Sequence, residues 1–480
     1  MRTVSWAGRR FVVAGTGVSG RAAVTALAAR GADLVTVDAL DPGADAADAA
    51  AFVAGGGLDR VDVVLASPGW APSNPLLAAA VGRGLPVWSE VELGWRLRVP
   101  RAGGAGPAPW LAVTGTNGKT TTVGMLESIL AAGGERALAV GNVGTPVVQA
   151  ATDPDLDVLA VELSSFQLHF TRSMSAQVAG VLNVAPDHLD WHGSFEAYTA
   201  DKGVVYQRAQ VACVYNVADP RTEQLVRDAD VQDGALAVGF TLGAPRVGQL
   251  GLVEDVLVDR AFTPQRQTHG VEVGTLADLA QLGNPDGADP RTGPVPPHVV
   301  ANALAAAALA LAHGVSPAAV GAGLRAYTPG THRIQTVATA GGVAYVDDSK
   351  ATNAHAAAAS LAAFAPATVV WVAGGLAKGA RFDDLVRARR DRLRAVVLIG
   401  VEQEPLRAAL SRHAPEVPVE AVDPGNTGSV MTAAVRAARR FARPGDTVLL
   451  APACASMDQF SSYAARGDAF AAAVRDLPAR

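Results

Sequence analysis

The sequence predicts an α/β protein of three domains, and three observations carry that expectation. Residues 111–122, Leu-Ala-Val-Thr-Gly-Thr-Asn-Gly-Lys-Thr-Thr-Thr, turn from a short apolar run into a glycine-bracketed loop and then a helix-forming stretch. Residues 10–38 follow the same order of strand, glycine turn and helix, with a second strand that ends on an acid. Beyond residue 333, four apolar runs alternate with helical patterns, which predicts a mainly parallel sheet. The length of 480 residues allows two to four domains at roughly 100–200 residues each, and three is the expectation.

In the N-terminal segment the strand at 10–14 runs into Gly15, Gly17 and Gly20, then a helix at 21–30, a strand at 33–37 and Asp38. This is the spacing of a Rossmann-like unit, in which glycines let a pyrophosphate approach a helix N-terminus and the acid binds a ribose hydroxyl. Taken alone it suggests NAD and an oxidoreductase. Yet the strand at 61–66 ends in Ser67-Pro-Gly69 and nothing nearby resembles a hydride-transfer site, so any nucleotide diphosphate fits. Glycines that merely pack helix on strand are the plainer alternative.

Glycine and proline at 100–109 interrupt all periodicity and place the first boundary, giving a domain over 1–104. The loop Gly115-Thr-Asn-Gly-Lys-Thr120 then aims backbone N–H groups inward, with Lys119 in reach of terminal phosphates and Thr120 placed for Mg²⁺. It is a variant phosphate loop, because Val113 stands where the usual spacing asks for glycine. A glycine turn with Lys119 in solvent is the bland reading. A strand at 137–140 ends in Gly141, Asn142 and Gly144, and another at 158–161 delivers Glu162 to the rim beside the loop. Oxygen ligands suit Mg²⁺ there; a salt-bridged edge glutamate is the alternative.

The strand near 180 leads into a polar loop with Asn183, Asp187, His188, Asp190 and His192. Physical preference for oxygen favours Asp187 or Asp190 over either histidine as a Mg²⁺ ligand. The helix at 194–210 carries Lys202, which by itself reads as a solvated lysine. Residues 239–297 predict a small extra antiparallel sheet, and an alanine-rich helix containing Asn302 follows. Periodicity breaks again at 327–333, so the central domain spans 105–328 and the last 329–480. In the last, strands are expected at 343–346, 368–372, 395–399 and 447–450, and three of them, all but 395–399, end in polar loops around Asp348, Lys378 and Ser456. Two lysines and several hydroxyls there suit a dicarboxylic amino acid or phosphates, although each loop alone could be helix capping.

Composition bounds the function. With 49% hydrophobic and 18% charged residues the chain has ample core material, and its charge of -5 without a basic run disfavours nucleic acid and anionic membranes as partners. Cys213 and Cys454 are too few for a disulfide framework or a cysteine zinc site and fit a reducing cytoplasm. The apolar run at 11–14 after Arg2, Arg9 and Arg10 is too short for a signal peptide, and the alanine-rich stretch at 302–312 reads as a packed helix, so a soluble protein is expected.

With Gly115-Thr-Asn-Gly-Lys-Thr120, Glu162-Leu-Ser-Ser-Phe-Gln167, Asp348-Ser-Lys-Ala-Thr-Asn353 and Pro452-Ala-Cys-Ala-Ser-Met-Asp-Gln-Phe460 in this order, the chain closely resembles the Mur ligase family over essentially its whole length. The last motif is the one most specific to the family branch that adds D-glutamate to UDP-N-acetylmuramoyl-L-alanine. The resemblance implies ATP-dependent amide formation through an acyl phosphate, in cytoplasmic peptidoglycan precursor synthesis, by a monomer. It implies a Rossmann-like N-terminal domain for the UDP-sugar, a central ATPase domain, and a Rossmann-like C-terminal domain that brings the amino acid and closes during turnover.

Residue by residue, the resemblance assigns Gly115, Thr116, Asn117, Gly118, Lys119, Thr120, Thr121, Asn302, Arg333 and Asp348 to ATP. Glu162 and His188 serve two Mg²⁺ ions with Thr120, Asn142 lies near the reacting carboxylate, and Lys202 matches a lysine that CO₂ converts to a carbamate. Gly15, Gly17, Val18, Ser19, Asp38, Ser67, Ser164 and Gln167 fall to the UDP-sugar; Lys350, Thr352, Lys378, Ser456, Met457 and Tyr463 fall to D-glutamate. The chain departs from the family at Leu40, Val299 and Tyr463, where arginine, asparagine and phenylalanine are usual. A sibling ligase for another amino acid and a non-catalytic nucleotide-binding protein are the remaining alternatives.

Overall fold

A computed structural model of the chain describes residues 6–104, 106–282, 295–328, 330, 334–425 and 428–477. It divides into two compact units, one of residues 1–278 with 300–327 and one of 279–299 with 328–480.

The first unit holds two sheets. β1 (Arg10–Ala14), β2 (Asp33–Val37), β3 (Val63–Ala66) and β4 (Val87–Ser89) form a parallel sheet in the order β2-β1-β3-β4. Ala14 pairs with both Val37 and Ala66, so the turns after β1, β2 and β3 leave the sheet at one level. Gly15, Asp38 and Ser67 meet there for that reason.

The second sheet has nine strands: β5 (Trp110–Thr114), β6 (Ala137–Gly141), β7 (Val158–Glu162), β8 (Val178–Val181), β9 (Ala212–Asn216), β10 (Leu236–Phe240), β11 (Gln249–Val253), β12 (Val256–Asp259) and β13 (Val271–Thr275). Its order is β13-β12-β11-β10-β9-β8-β5-β7-β6. β5 is buried along its length because it is central and covered on both faces, which is why it reads as a continuous apolar run. It sits between β7 and β8; the connection leaving β5 runs to β6 on one side and the connection leaving β8 runs to β9 on the other, so the crevice after β5 is the switch point where ligands bind in such sheets. The small extra sheet takes the form of a continuation: β10 and β11 add in parallel to the edge of β9, and β12 and β13 close the end antiparallel. An exposed β9 edge would leave backbone groups unpaired, and this extension satisfies them.

Buried carboxylates tie the two sheets of this unit together. Glu92 accepts from the backbone N–H groups of Arg172 and Ser173 at 2.8 Å each and from the Ser173 hydroxyl at 2.6 Å. Glu90 accepts from Val148 N at 2.7 Å. A Cβ on Gly94, in the helix Glu90–Leu97, would lie 3.1–3.2 Å from Val147 and Val148, so any larger residue would force these segments apart by a few tenths of an ångström.

The second unit contains β14 (Gln335–Ala340), β15 (Val343–Asp347), β16 (Val369–Gly374), β17 (Leu393–Ile399), β18 (Val419–Ala421) and β19 (Thr447–Leu450), ordered β14-β15-β19-β16-β17-β18. All pairings are parallel except that of β14 with β15. Alternate residues of the central strands feed two cores, with Val346, Trp371 and Leu398 on one face and Tyr345, Val372 and Val397 on the other. The edge strands β14 and β18 were not expected from sequence; both are half-exposed and lack a long apolar run.

Two local expectations need correction. The helix expected over 194–210 ends at Gly203 and tightens into a short turn, Val204–Tyr206, because the buried Tyr206 hydroxyl bonds Val214 O and Val181 N. Lys202 is not solvated: its side chain is 2% exposed. No helix of the described residues is long and apolar enough to cross a membrane.

Candidate active site

Gly115 and Gly118 shape the phosphate loop, with φ of 155° and 86°, the latter in the left-handed region that glycine tolerates. A Cβ on Gly118 would also lie 2.4 Å from Asn302 Oδ1. The loop is fastened to the turn after β8. Thr116 N donates to Asn183 O at 3.0 Å, Asn117 N donates to Asn183 Oδ1 at 2.9 Å, and Asn183 Nδ2 returns a bond to Asn117 O. The Thr116 hydroxyl is linked to Ala185 and to the Tyr198 hydroxyl at 2.9 Å. These bonds hold the loop open and rigid, which is the requirement for a preorganised phosphate cradle.

Lys119 donates to Gly115 O at 2.8 Å and Thr116 O at 3.0 Å, so its ammonium folds over the loop mouth and does not extend into solvent. Thr120 and Thr121 occupy the first turn of the helix Lys119–Ala132, where aligned N–H groups favour an anion. Lys202 donates to the same Gly115 O at 2.9 Å and lies 4.5 Å above the Tyr198 ring. Burial, and then the neighbouring Lys119 charge, drive the Lys202 amine well below its ordinary range. An amine whose charge is disfavoured in this way is a better nucleophile than a solvated lysine.

Because Val113 and Gly141 both pair with Glu162, the ends of β5, β6 and β7 stand side by side. Glu162 is 1% exposed, and its Oε1 accepts from Asn142 Nδ2 at 2.8 Å. Its other oxygen, also buried, has no hydrogen-bond partner among the described residues. An orphaned carboxylate oxygen beside a phosphate loop fits a hard divalent cation, which takes oxygen ligands and completes its shell with phosphate and water. No cluster of three His, Cys, Asp or Glu among the described residues would hold an ion unaided. His188 adopts a left-handed backbone at φ 53°, with its Nε2 3.6 Å from Asp187 Oδ2 and its ring edge-on to Phe166.

Sequence reasoning missed Asp201 and Tyr198 here and gave Asn183 no role. Asp201 bridges His169 at 2.9 Å and His192 at 2.8 Å. Burial works against its charge, yet the bonds from His169 and His192 hold the carboxyl below its ordinary value. Tyr198 backs the loop, and Asn183 fastens it. An acid directly before Lys202 on a helix was the sole hint of Asp201, and it is indistinguishable from a surface acid.

At the rim of the first sheet, a Cβ on Gly15 would lie 2.6 Å from Trp70 Nε1, and one on Gly20 would lie 1.9 Å from Gly15 O. Gly17 differs: among the described residues a Cβ there meets nothing within 4 Å, leaving open space at the helix N-terminus beside the exposed Val18 and half-buried Ser19. Ser67 Oγ donates to Gly15 O at 2.8 Å. Asp38 accepts from Thr16 N at 2.8 Å and Leu40 N at 2.9 Å, and these backbone bonds lower its pKa. Its carboxylate therefore braces the turn. In the central sheet's helix Ser165–His169, Ser164 and Gln167 form a reciprocal capping box.

In the second unit, Asp348 accepts a bond from Ser360 and lies almost buried. Arg466, which sequence reasoning also missed, is 1% exposed and donates to Ser349 Oγ at 3.0 Å, Ser349 O at 2.9 Å and Cys454 O at 3.0 Å. Burial lowers its pKa to about 10, so it stays charged while joining the loops after β15 and β19. Lys350 lies 4.0 Å above the Tyr463 ring. Ser456 is buried, Thr352 half-buried, and Met457 and Lys378 exposed, Lys378 at a left-handed φ of 51°. Arg333 lies outside the described residues.

Residues 113–310 match the family described as Mur ligase middle domain, and 332–454 the family described as Mur ligase, glutamate ligase domain. The chain is 55% identical to the UDP-N-acetylmuramoylalanine--D-glutamate ligase of Streptomyces avermitilis, over 99% of this chain and 100% of that protein. It is 51% identical to the enzyme of the same name from Thermobifida fusca, over 98% and 99%. Among solved structures, the UDP-N-acetylmuramate-alanine ligase of Thermotoga maritima superposes with a TM-score of 0.56 at 16% identity, covering 97% of this chain and 99% of that one.

Proposed function

The chain belongs to the Mur ligase family, and on that premise we propose that it joins D-glutamate to UDP-N-acetylmuramoyl-L-alanine with cleavage of ATP to ADP and phosphate. It is an ATP-dependent ligase of peptidoglycan precursor synthesis. Full-length identity to D-glutamate ligases supports the choice of amino acid over that of a sibling ligase, and sets the oxidoreductase reading aside.

The observation that carries the mechanism is the common level of the loop after β5, Asn142 and Glu162, with Lys202 bonded into that loop. A substrate carboxylate oxygen attacks the γ-phosphorus and ADP leaves, giving an acyl phosphate. The amine of D-glutamate then attacks the acyl carbon, and collapse of the tetrahedral adduct expels phosphate after loss of the amine proton. Lys119 and the loop N–H groups offset negative charge gathering on the transferring phosphoryl group. Asn142, fixed by Glu162, orients the reacting carboxylate. Mg²⁺, held by Thr120, Glu162 and His188 in two positions, would supply charge neutralisation and phosphate orientation. A carbamate on Lys202 would turn a repelling cation into two oxygen ligands, and the depressed basicity of that amine supports it.

On this reading residues 1–104 bind the UDP-sugar, 105–328 bind ATP, and 329–480 bind D-glutamate through Lys350, Thr352, Lys378 and Ser456. Asn302, Arg333 and Asp348 contact the nucleotide. On the same reading the protein acts as a monomer in the cytoplasm, a reducing compartment that the two free, buried cysteines suit. Phosphate release should require all three substrates and respond to D-glutamate alone in a panel of amino acids. Equal turnover with L-lysine, L-alanine or meso-diaminopimelate would refute the assignment.

A further inference from the structure

We propose that Asp201, gripping His169 and His192, is a positioning residue that holds in register the three segments carrying Glu162, His188 and Lys202; this rests on the metal and phosphate site read above. Each partner comes from a different segment. The helix Ser165–His169 begins three residues after Glu162, the short helix Leu189–His192 is capped by His188, and the helix Phe195–Gly203 carries both Asp201 and Lys202. One carboxylate therefore fixes all three. Asp201 Oδ2 lies 2.9 Å from His169 Nδ1 and 2.8 Å from His192 Nδ1.

The far side of His192 is fixed too, since its Nε2 lies 3.0 Å from Ser165 Oγ. Asp201 on Nδ1 and the Ser165 hydroxyl on Nε2 give both nitrogens of this fully buried ring a partner. Phe166 stacks on His192 with centroids 5.5 Å apart and meets His188 edge-on at 4.7 Å, so a shift of His192 is passed to His188. His188 is held in a left-handed conformation, which surrounding structure must enforce. The order Ser165, His192, Asp201 is that of an activated-serine triad, but Ser165 is 3% exposed and lines none of the described cavities. Fixing geometry is what this cluster can do; attacking a substrate is not.

The test measures Mn²⁺ binding by the electron-spin signal of free ion, in the presence of an unreactive ATP analogue, together with melting temperature. Asp201→Ala and His192→Leu should weaken Mn²⁺ about 10–100-fold, while His192→Asn, which keeps a donor near the Nδ1 position, should stay within about threefold of the unaltered protein. His169→Leu, at the more exposed end, should give a smaller loss and provides a folded variant should Asp201→Ala unfold. Glu162→Gln separates the two claims. If Glu162→Gln leaves Mn²⁺ binding intact, the reading of the metal site is wrong. If Glu162→Gln weakens it but folded His192→Leu and His169→Leu bind normally, the positioning claim falls. Equal losses in His192→Leu and His192→Asn would also overturn it.

Discussion

Glu90 should make the protein less stable as the solution becomes neutral, and Glu90→Gln should remove that dependence. Its carboxyl is 4% exposed, with one oxygen on Val148 N and the other buried. Burial outweighs the bonds from Val148 and Val147 and raises its pKa from 4.5 to about 7. Below the lower value both folded and unfolded chains carry the proton, and the full stability is present. Between the two, the unfolded chain ionises while the folded one does not, so stability is lost progressively until the folded carboxyl ionises as well. At about 1.4 kcal/mol for each tenfold change in proton affinity, the loss reaches about 3 kcal/mol above neutrality. Glutamine keeps an acceptor for Val148 N and never ionises. The difference in unfolding free energy between Glu90→Gln and the unaltered protein should therefore grow from pH 5 to pH 8 in favour of the variant. Urea denaturation at four pH values measures it, and the melting temperature should follow by about 2–4 °C per kcal/mol. A difference that stays flat from pH 5 to pH 8, or an unaltered protein that is the more stable at pH 8, would refute the reasoning.

Lys119→Ala should lower phosphate release by about 10²–10³-fold with all substrates saturating, the scale of one lost electrostatic donor; near-normal release would remove it from the mechanism. Gly118→Ala places a side chain on a left-handed residue against Asn302, so it should cost about 1–2 kcal/mol of stability and weaken binding of an ATP analogue, read by calorimetry. Lys202→Ala should be inactive yet regain measurable turnover with added acetate or formate, which supply the carbamate's oxygens; no rescue at any concentration argues against the modification. Arg466→Met removes three hydrogen bonds from a buried cation and should destabilise the second unit by on the order of 3 kcal/mol. The same variant should raise the KM for D-glutamate while leaving that for the UDP-sugar unchanged.

Strand and loop chemistry was legible because it is local. The limits of β1 and β2, the phosphate loop after β5 and the arrival of Glu162 at a strand end follow from short apolar runs ending at glycines or acids. Lys202 illustrates the boundary of that legibility. Its own helix has little amphipathic character, so nothing nearby tells that its amine is buried against Gly115, 87 residues earlier. Asp38 is a second case: its place after β2 is readable, but its bonds to Thr16 and Leu40 depend on how the turn closes.

By itself the sequence determined the α/β class, the strands that carry the polar loops, and the strand ends at which chemistry would collect, since hydrophobic period and glycine placement are properties of neighbouring residues. Only the tertiary structure decided which side chains lose water and whom they face. Asp201 reaches His169 across 32 residues and Arg466 reaches Ser349 across 117. Whether such a group is a solvated charge or a buried clamp is fixed by desolvation and by partners supplied from other elements, and neither exists until the sheets have assembled.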